Sequence, residues 1–286
     1  MSEAKLAFPV HIDDQTTFGE GRLGVIAGPC VAEDRGLCLE VARELKRIAV
    51  RLQLPLVFKS SYAKENRSSA GSYRGPGLAA GLDILAAVRA DVGLPVLSDV
   101  HAPEEAEPAA HVLDVLQVPA FLCRQTPLLV ACGATGKPVN VKKGQFVAPE
   151  DMIGAVEKLR EAGCPGILLT ERGATFGYHD LVVDMRSFTR MAFEGVVTVY
   201  DVTHSLQTPG GPVTGGRREF ALPLARAAVA AGAQAVFLET HPDPARARSD
   251  AATQLPLALV EALLAELKRV HAAVVRAPVP STAHAR

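Results

Sequence analysis

The chain has 286 residues, a mass of 30.1 kDa, 48% hydrophobic residues and a formal net charge of -1 at neutral pH. This length suits one large domain or two small ones with an ample core, and the balanced charge excludes the basic footprint of a nucleic-acid-binding protein or a polybasic membrane-binding surface. The 5 cysteines are widely spaced and contain no CxxC pair, which argues against a disulfide scaffold and favours a reducing compartment.

The first part of the chain, residues 1–23, is polar and charged and has no continuous apolar stretch. We therefore expect neither a signal peptide nor a membrane span, and we expect a cytoplasmic protein. We interpret these residues as an N-terminal extension that could form a hairpin or a plug beneath the domain that follows. Residues 276–286, rich in proline and small side chains, are expected to be a frayed C-terminal tail.

From residue 24 onward, short apolar runs of β type alternate with longer stretches of helical period. Such alternation is typical of repeated β/α units with a parallel sheet. Eight runs are predicted to be strands: Gly24–Ala27, Leu56–Lys59, Val96–Ser98, Val112–Leu116, Val139–Val141, Gly166–Thr170, Val196–Val199 and Ala235–Leu238. Because eight is the strand number of the TIM barrel and no linker interrupts the pattern, we predict one α/β domain, a (β/α)8 barrel over residues 24–275.

Two helices between these strands are especially clear in the sequence. In the stretch Leu37–Arg51, apolar residues recur every three or four positions, which marks one buried helix face. A second helix is predicted to begin at Pro149, run to Ala162 and stop at Gly163. Proline at a helix start and glycine just after its end follow the usual asymmetry of helix ends.

A cationic stretch follows the second predicted strand, where Lys59, Lys64 and Arg67 stand among several serines. Such groups donate charge-assisted hydrogen bonds to phosphates and carboxylates. The alternative is a solvated loop. We favour an anion-binding role because Lys59 ends an apolar run, and a strand-end lysine rarely lacks a partner.

Other polar residues follow the third, fifth and sixth strands, at the face where barrel strand ends converge. Asp99 could accept hydrogen bonds from a sugar hydroxyl, whereas His101 could merely cap the next turn. Lys142 and Arg172 could hold a phosphate, although an arginine at a strand end is about as often a structural ion-pair partner. Their joint placement favours one site.

Four residues of metal-ligand type lie far apart along the chain: Cys30, His204, Glu239 and Asp250. Three of them follow apolar runs of the kind that form barrel strands, so they could meet at one face. A thiolate, an imidazole and two carboxylates suit Zn, Fe(II) or Mn better than Ca or Mg. The alternatives are that Cys30 is a buried small hydrophobe and that Asp250 caps the following helix.

Many ordered segments resemble one enzyme family. They are Ala27-Gly28-Pro29-Cys30, Phe58-Lys59-Ser60-Ser61, residues 64–69, residues 72–77, Ser98-Asp99-Val100-His101, Pro119-Ala120-Phe121, Arg124-Gln125-Thr126, Asn140-Val141-Lys142-Lys143, Arg172-Gly173-Ala174, residues 176–178, Asp201-Val202-Thr203-His204 and residues 239–244. Between about Gly24 and Leu264 the chain resembles the 3-deoxy-D-manno-octulosonate-8-phosphate synthases.

The resemblance implies a β/α barrel enzyme that joins phosphoenolpyruvate to D-arabinose 5-phosphate, with water, and releases phosphate. The eight-carbon product would feed lipopolysaccharide synthesis, and the enzyme would be a homotetramer. The family has metal-dependent and metal-independent branches, with Cys or Asn at the position of Cys30. This chain is therefore similar to the metal-dependent branch, which favours ligation by Cys30 over the buried-hydrophobe interpretation.

Carried over by position, the resemblance implies a role for each matching residue. The metal ligands would be Cys30, His204, Glu239 and Asp250. Phosphoenolpyruvate would be held by Lys59, Ser61, Lys64, Gln125, Lys142, Arg172 and the Ala120 backbone. The pentose phosphate would be held by Asn66, Arg67, Ser68 and Asp99, with Arg124 reaching the site of an adjacent subunit. The catalytic set would be Lys59, Lys64, Asn66, Asp99, Lys142, His204 and Asp250.

Three other functions remain alternatives at this point. The related 3-deoxy-D-arabino-heptulosonate-7-phosphate synthases run the same condensation on erythrose 4-phosphate with a similar metal set. They carry a Lys-Pro-Arg-Thr motif where this chain has Lys64-Glu65-Asn66-Arg67-Ser68-Ser69, and the Asn-Arg-Ser segment favours the pentose phosphate. A sugar-phosphate-binding barrel without catalysis, or a Schiff-base aldolase that uses Lys59 or Lys142, would be a different class of protein.

Overall fold

A computed structural model describes residues 9–65, 71, 73–175, 180–192, 196–209 and 215–276. The strands in chain order are β1 (Val10–His11), β2 (Thr17–Phe18), β3 (Gly24–Gly28), β4 (Leu56–Lys59), β5 (Val96–Asp99), β6 (Val115–Val118), β7 (Val139–Lys142), β8 (Ile167–Glu171), β9 (Ala174–Thr175), β10 (Leu181–Val182), β11 (Val197–Asp201), β12 (Gln207–Thr208), β13 (Gly215–Gly216), β14 (Ala235–His241) and β15 (Leu255–Pro256). The α-helices are α1 (Arg35–Leu52), α2 (Leu78–Val92), α3 (Pro103–Ala110), α4 (Thr126–Ala134), α5 (Ile153–Glu161), α6 (Ser187–Met191), α7 (Ala221–Ala230) and α8 (Leu257–Arg276).

Eight parallel strands close into a barrel, and helices connect successive strands. Around the barrel the order is β3, β4, β5, β6, β7, β8, β11 and β14, and β14 pairs with β3 to close the ring. The closing register sets Ala235 beside Gly24 and Glu239 beside Gly28. The predicted (β/α)8 barrel is confirmed, and all barrel strands deliver their carboxyl ends to one face.

The predicted strands overlap the observed ones, and the largest shifts are three residues at the start of β6 and three residues at the end of β14. The fourth was predicted from Val112, but β6 begins only at Val115. The backbone N–H groups of Val112 and Leu113 both donate to the carbonyl of Ala109, so these two residues close the turn after α3. Hydrophobicity alone does not distinguish a buried turn from a buried strand.

The two faces of each barrel strand bury their side chains in different layers. Alternate residues point inward, as the period of two requires. The inward apolar set is Ile26, Val57, Leu97, Val115, Leu168, Val197, Val199, Ala235 and Phe237. The hairpin of β1 and β2 joins this set through Val10 and Phe18 and fills the amino-terminal end of the barrel.

The helices form the outer layer and follow the sequence signals at their ends. The carboxylate of Asp34 accepts a hydrogen bond of 2.9 Å from the N–H of Leu37 and caps α1. This helix ends at Gln53, whose φ of 54° is left-handed. The second predicted helix is α5, which follows a 3₁₀ turn at Pro149–Met152 and ends before Gly163. Within the described ranges, no helix has the length and apolarity to cross a membrane.

Gly28 lies in very close contact with the backbone of the neighbouring strand β4, near the carboxyl end of the barrel. A Cβ atom built on this residue would lie 2.0 Å from the carbonyl oxygen of Lys59. Strands β3 and β4 can therefore approach each other only because residue 28 has no side chain.

We expect Gly28→Ala to lower the free energy of unfolding by about 3 kcal/mol or more, because the added methyl must displace backbone. Gly154→Ala is the matched control, since the added Cβ in α5 meets no other atom within 4 Å. That variant should gain about 0.5–1 kcal/mol from helix propensity. Urea unfolding of both variants measures the difference, and equal stability would contradict the tight approach.

Candidate active site

A cavity of about 240 Å³ opens at the carboxyl ends of the barrel strands. Its lining contains many of the predicted site residues. The lining residues are Lys59, Lys64, Glu65, Asp99, His101, Gln117, Pro119, Ala120, Phe121, Leu122, Lys142, Arg172 and His204. The closed barrel brings these strand ends together at one face, as predicted from the sequence.

The four candidate metal ligands come together beside this cavity. One ligand atom each from Cys30, Glu239 and Asp250 lies within 4.8 Å of the others. Nε2 of His204 lies 3.5 Å from Oε1 of Glu239 and 3.9 Å from Oδ2 of Asp250. Residues that are separated by up to 220 positions in the sequence therefore share one location.

This group fits a divalent ion of the borderline class. Its donor set of one sulfur, one imidazole nitrogen and two carboxylates is that of Zn, Fe(II) or Mn sites. Glu239 is fully buried, and its Oε2 has no hydrogen-bond partner among the described residues. A buried carboxylate oxygen without a donor is costly unless a cation satisfies it.

The surroundings of Cys30 differ from those of a core cysteine. Its sulfur lies 2.9 Å from Oγ of Ser249 and 3.0 Å from Oδ2 of Asp250, and its N–H donates to Oε1 of Gln254 at 3.3 Å. Burial raises the pKa of the Cys30 thiol, and the charges of Asp250 and Glu239 raise it further. In this setting the thiolate needs a nearby cation to persist at neutral pH.

The alternative that Asp250 caps a helix does not describe its position. The next helix, α8, begins only at Leu257, and the Asp250 carboxylate faces Cys30. Asp250 also has a left-handed φ of 48°, which is uncommon outside glycine and tolerated by Asp and Asn. Gln254 holds this loop through a hydrogen bond of 2.8 Å from its Nε2 to the carbonyl of Ser249.

Two lysines connect the acidic group to the cavity. The Lys59 side chain is 1% exposed, and its Nζ lies 2.6 Å from Oε1 of Glu239 and donates to the carbonyl of Cys30 at 3.0 Å. Nζ of Lys64 lies 3.7 Å from the same Glu239 oxygen. Burial alone lowers the pKa of Lys64, but its acidic neighbours, among them Cys30, Glu239 and Asp99, raise it overall. Lys64 is therefore a fixed positive charge.

Asp201 is a functional candidate that the residue-by-residue assignment missed. It is fully buried, accepts a hydrogen bond from Nζ of Lys142, and its Oδ2 lies 2.9 Å from Nδ1 of His204. Burial raises the pKa of Asp201, but His204 and Lys142 outweigh burial and hold it well below its ordinary value. The available signal was its place at the end of an apolar run, three residues before His204.

The contact with Asp201 fixes the orientation of His204. A carboxylate that accepts from one ring nitrogen leaves the other nitrogen free to act as a ligand. Here Nδ1 faces Asp201, so Nε2 faces Glu239 and Asp250. The same carboxylate also holds Lys142, whose Nζ lies 3.4 Å from the ring centroid of Phe237. Asp201 thus links the candidate metal group to the cationic cavity wall.

Arg172 lies beside His204 and has an N–H group available for a ligand. It donates to the His204 carbonyl at 3.1 Å and to Oε1 of Gln207 at 2.6 Å. Its Nε is buried without a hydrogen-bond partner in the part of the chain that the structure describes. A guanidinium presented in this way suits an anionic ligand in the cavity.

Asp99 and Ser61 form the polar wall near Lys59. Oγ of Ser61 donates to Oδ2 of Asp99, and Nε2 of Gln117 donates to Oδ1 at 2.6 Å. Burial raises the pKa of Asp99, but Lys59 and Lys64 outweigh it and hold the pKa below its ordinary value. Asp99 is therefore an ionised acceptor.

His101 lines the cavity. Its side chain does not cap the following turn, which was the alternative role predicted for it. The carboxylate of Glu105 accepts from the backbone N–H of His101 at 2.9 Å and from the hydroxyl of Tyr62 at 2.7 Å. The His101 ring packs edge-on against the Tyr62 ring, with centroids 5.8 Å apart. Glu105, in the first turn of α3, therefore holds the backbone of His101, while the His101 side chain caps nothing among the described residues.

Several predicted binding residues are not brought into the cavity of the single chain. Arg124 and Gln125 are exposed beside the start of α4, while only the preceding 3₁₀ turn at Ala120–Leu122 reaches the lining. Asn66, Arg67 and Ser68 lie outside the described residues, as do Ser72 and residues 176–178.

Comparisons with known proteins agree on one family. The profile described as the DAHP synthetase I family matches residues 7–276. A protein of Syntrophobacter fumaroxidans named 2-dehydro-3-deoxyphosphooctonate aldolase is 54% identical over 89% of this chain and 89% of its own length. Proteins of the same name from Nitratidesulfovibrio vulgaris and Bradyrhizobium sp. are 56% and 54% identical, over 85% and 91% of this chain and 90% and 92% of theirs.

We expect Asp201→Asn to lower the free energy of unfolding by about 3–5 kcal/mol, because it leaves Lys142 buried without its counter-charge. Adding Lys142→Met should recover part of this loss. The half-exposed Asp184, paired with the exposed Arg186, is the matched control, and Asp184→Asn should cost under about 1 kcal/mol. Urea unfolding of chelator-treated proteins measures all three, and equal costs for the two Asp→Asn variants would contradict the buried pair.

Proposed function

The chain belongs to the DAHP synthetase I family, and on that premise we propose that it condenses phosphoenolpyruvate with D-arabinose 5-phosphate and water. The products would be 3-deoxy-D-manno-octulosonate 8-phosphate and inorganic phosphate. The names of relatives that are 54–56% identical support this reaction over others in the family.

The observation that carries the proposal is the set of cations around one cavity. Lys59, Lys64, Lys142 and Arg172 all line it. Phosphoenolpyruvate brings a carboxylate and a phosphate, and the pentose brings a second phosphate. Several buried cations on rigid strand ends provide the charge-assisted donors that two polyanions need.

The chemistry forms one carbon–carbon bond and one carbon–oxygen bond, from water to C2, and breaks the carbon–oxygen bond to the phosphate. The enol double bond of phosphoenolpyruvate supplies the electron pair by which its C3 attacks the aldehyde carbon, and the aldehyde oxygen takes up a proton. Water adds at C2 and gives up its two protons, one to the former aldehyde oxygen and one to the departing phosphate. Phosphate leaves with the electron pair of its bond to C2, which generates the ketone. Lys142 and Arg172 neutralise the charge of phosphoenolpyruvate during these steps, and Asp99 accepts a hydrogen bond from a hydroxyl of the sugar.

We include a divalent metal in the proposal, held by Cys30, His204, Glu239 and Asp250. The ion would be Zn, Fe(II) or Mn, and it would supply Lewis acidity toward the aldehyde or toward water. The chain's own part is to keep His204 oriented through Asp201 and to keep Cys30 within 3.0 Å of the Asp250 carboxylate. The clustering of these side chains and the unsatisfied oxygen of Glu239 support this set.

We also propose that the active protein is a cytoplasmic homotetramer whose product enters lipopolysaccharide synthesis. Exposed apolar side chains support assembly, because Phe121 at the cavity rim is 55% exposed and Phe146 is 60% exposed. Exposed aromatic side chains of this kind are typical of association surfaces. Arg124 is exposed, so its side chain could reach the cavity of an adjacent subunit. Light scattering of the native protein measures the number of subunits.

Phosphate release from phosphoenolpyruvate should depend on added aldehyde, with arabinose 5-phosphate strongly preferred to erythrose 4-phosphate. The reason is that a site built for the longer sugar loses hydrogen bonds with the shorter one. Initial rates with each aldehyde, and with none, measure the preference. A preference for erythrose 4-phosphate would move the chain to the heptulosonate synthases, and tight binding without turnover would indicate a binding protein.

Cys30→Ala should abolish retention of the divalent metal and remove most activity while the barrel stays folded. Cys38→Ala is the matched control, because Cys38 is equally buried but belongs to the apolar core of α1. The control should keep its metal and its chelator-sensitive activity. Metal content by mass spectrometry, circular dichroism and phosphate release compare the two. Full activity of metal-stripped Cys30→Ala would rule out this ligand set.

A further inference from the structure

A chain of buried polar side chains crosses the inside of the barrel beneath the cavity. It connects four consecutive strands through Asp99 on β5, Gln117 on β6, Asn140 on β7 and Thr170 on β8. Nε2 of Gln117 donates to Asp99 at 2.6 Å, Nδ2 of Asn140 donates to Gln117 at 2.8 Å, and Oγ1 of Thr170 donates to Asn140 at 2.7 Å. Gln117, Asn140 and Thr170 are each at most 1% exposed.

Each member of this chain fixes the direction of the next hydrogen bond. A carboxamide has one donor end and one acceptor end, so it cannot donate on both sides. The Thr170 hydroxyl donates to the oxygen of Asn140, which turns the Asn140 NH₂ toward Gln117. The Gln117 NH₂ then faces Asp99. The result is a donor aimed at Asp99.

The opposite direction would require a different charge on Asp99. If both amides were turned over, the oxygen of Gln117 would face Oδ1 of Asp99, and that contact is stable only with a protonated carboxyl. The nearby charges of Lys59, Lys64, Lys142 and His101 oppose protonation and keep the pKa of Asp99 low despite burial. The cationic cavity and the amide chain therefore favour the same ionised state.

We propose that Gln117, Asn140 and Thr170 are positioning residues that lock Asp99 as a fixed hydrogen-bond acceptor for a hydroxyl of the phosphorylated aldehyde substrate. Gln117 lines the cavity itself, whereas Asn140 and Thr170 act through it. This inference rests on the proposed function. It gives Asp99 a role in binding and orientation, without any proton donation from its carboxyl.

The first test compares Thr170→Val with Thr170→Ser. The valine variant keeps the shape but leaves the oxygen of Asn140 without its donor, which loosens the chain that holds Asp99 and should raise the KM for arabinose 5-phosphate about three- to tenfold. The KM for phosphoenolpyruvate should stay unchanged. Thr170→Ser keeps the donor and should restore the KM for the sugar to within about twofold of wild type.

Thr198→Val is the matched control for the loss of a buried hydroxyl. Thr198 is also fully buried on a barrel strand, but its Oγ1 donates to the Gly232 carbonyl, away from the cavity. This variant and Thr170→Val should lose similar thermal stability, while only Thr170→Val should change the KM for the sugar. An unchanged KM in Thr170→Val, or an equal change in Thr198→Val, would overturn the proposal.

A second test reverses the chemistry at Gln117. Gln117→Glu sets a carboxylate against Asp99, so the contact re-forms only when the pair holds a proton. Activity should fall by roughly a hundredfold at about pH 8 and recover in part toward about pH 6. A purely structural role predicts the same fractional loss at every pH, and that outcome would overturn the proposal.

Different results would contradict the proposed function and the positioning role of Gln117, Asn140 and Thr170. If wild-type protein does not turn over arabinose 5-phosphate with phosphoenolpyruvate, the proposed function fails. If wild-type protein does so and the Thr170 and Gln117 variants show neither the KM change nor the pH dependence, only the positioning role fails.

Discussion

Two buried carboxylates that each hold a lysine and a histidine determine the arrangement of the site. Glu239 contacts Lys59 and lies near His204, and Asp201 contacts Lys142 and the other side of His204. Charges at this depth persist only when their partners are close and well oriented. Because Asp201 ends β11 and Glu239 lies near the carboxyl end of β14, the barrel must close in the observed register for the pairs to form.

The barrel interior is apolar at its amino-terminal end and polar at its carboxyl end. The residues that stabilise the fold and the candidate site residues therefore lie at opposite ends of the barrel. Toward the amino-terminal end, apolar side chains such as Ile26 and Val57 pack against the hairpin residue Phe18. Toward the carboxyl end, the same inward positions carry Lys59, Asp99 and other polar groups. Apolar burial stabilises the fold at one end, so the other end can hold charges that are costly to bury.

The cations at this site share few carboxylates or hold neutral oxygens, so their charges are partly compensated while the cavity stays suited to anions. Lys59 and Lys64 both approach Glu239, and Arg172 holds backbone and amide oxygens while its Nε lacks a partner among the described residues. A metal ion at the acidic group would compete with Lys59 for Glu239. The lysine would then be freer to contact a phosphate or carboxylate.

The sequence by itself determined the strand count, the barrel class and the residue types of the candidate site, because apolar periodicity and strand-end polarity are local properties. It also placed Lys59 correctly at the end of β4, whereas Cys30 lies two residues after β3 and Glu239 lies inside β14. It did not give the start of β6, the contacts of Asp201, the hydrogen bond from the His101 N–H to Glu105, or the hydrogen-bonded side chains from Thr170 to Asp99. Those features depend on contacts between strands distant in sequence, and only closure of the barrel decides which buried donor meets which acceptor.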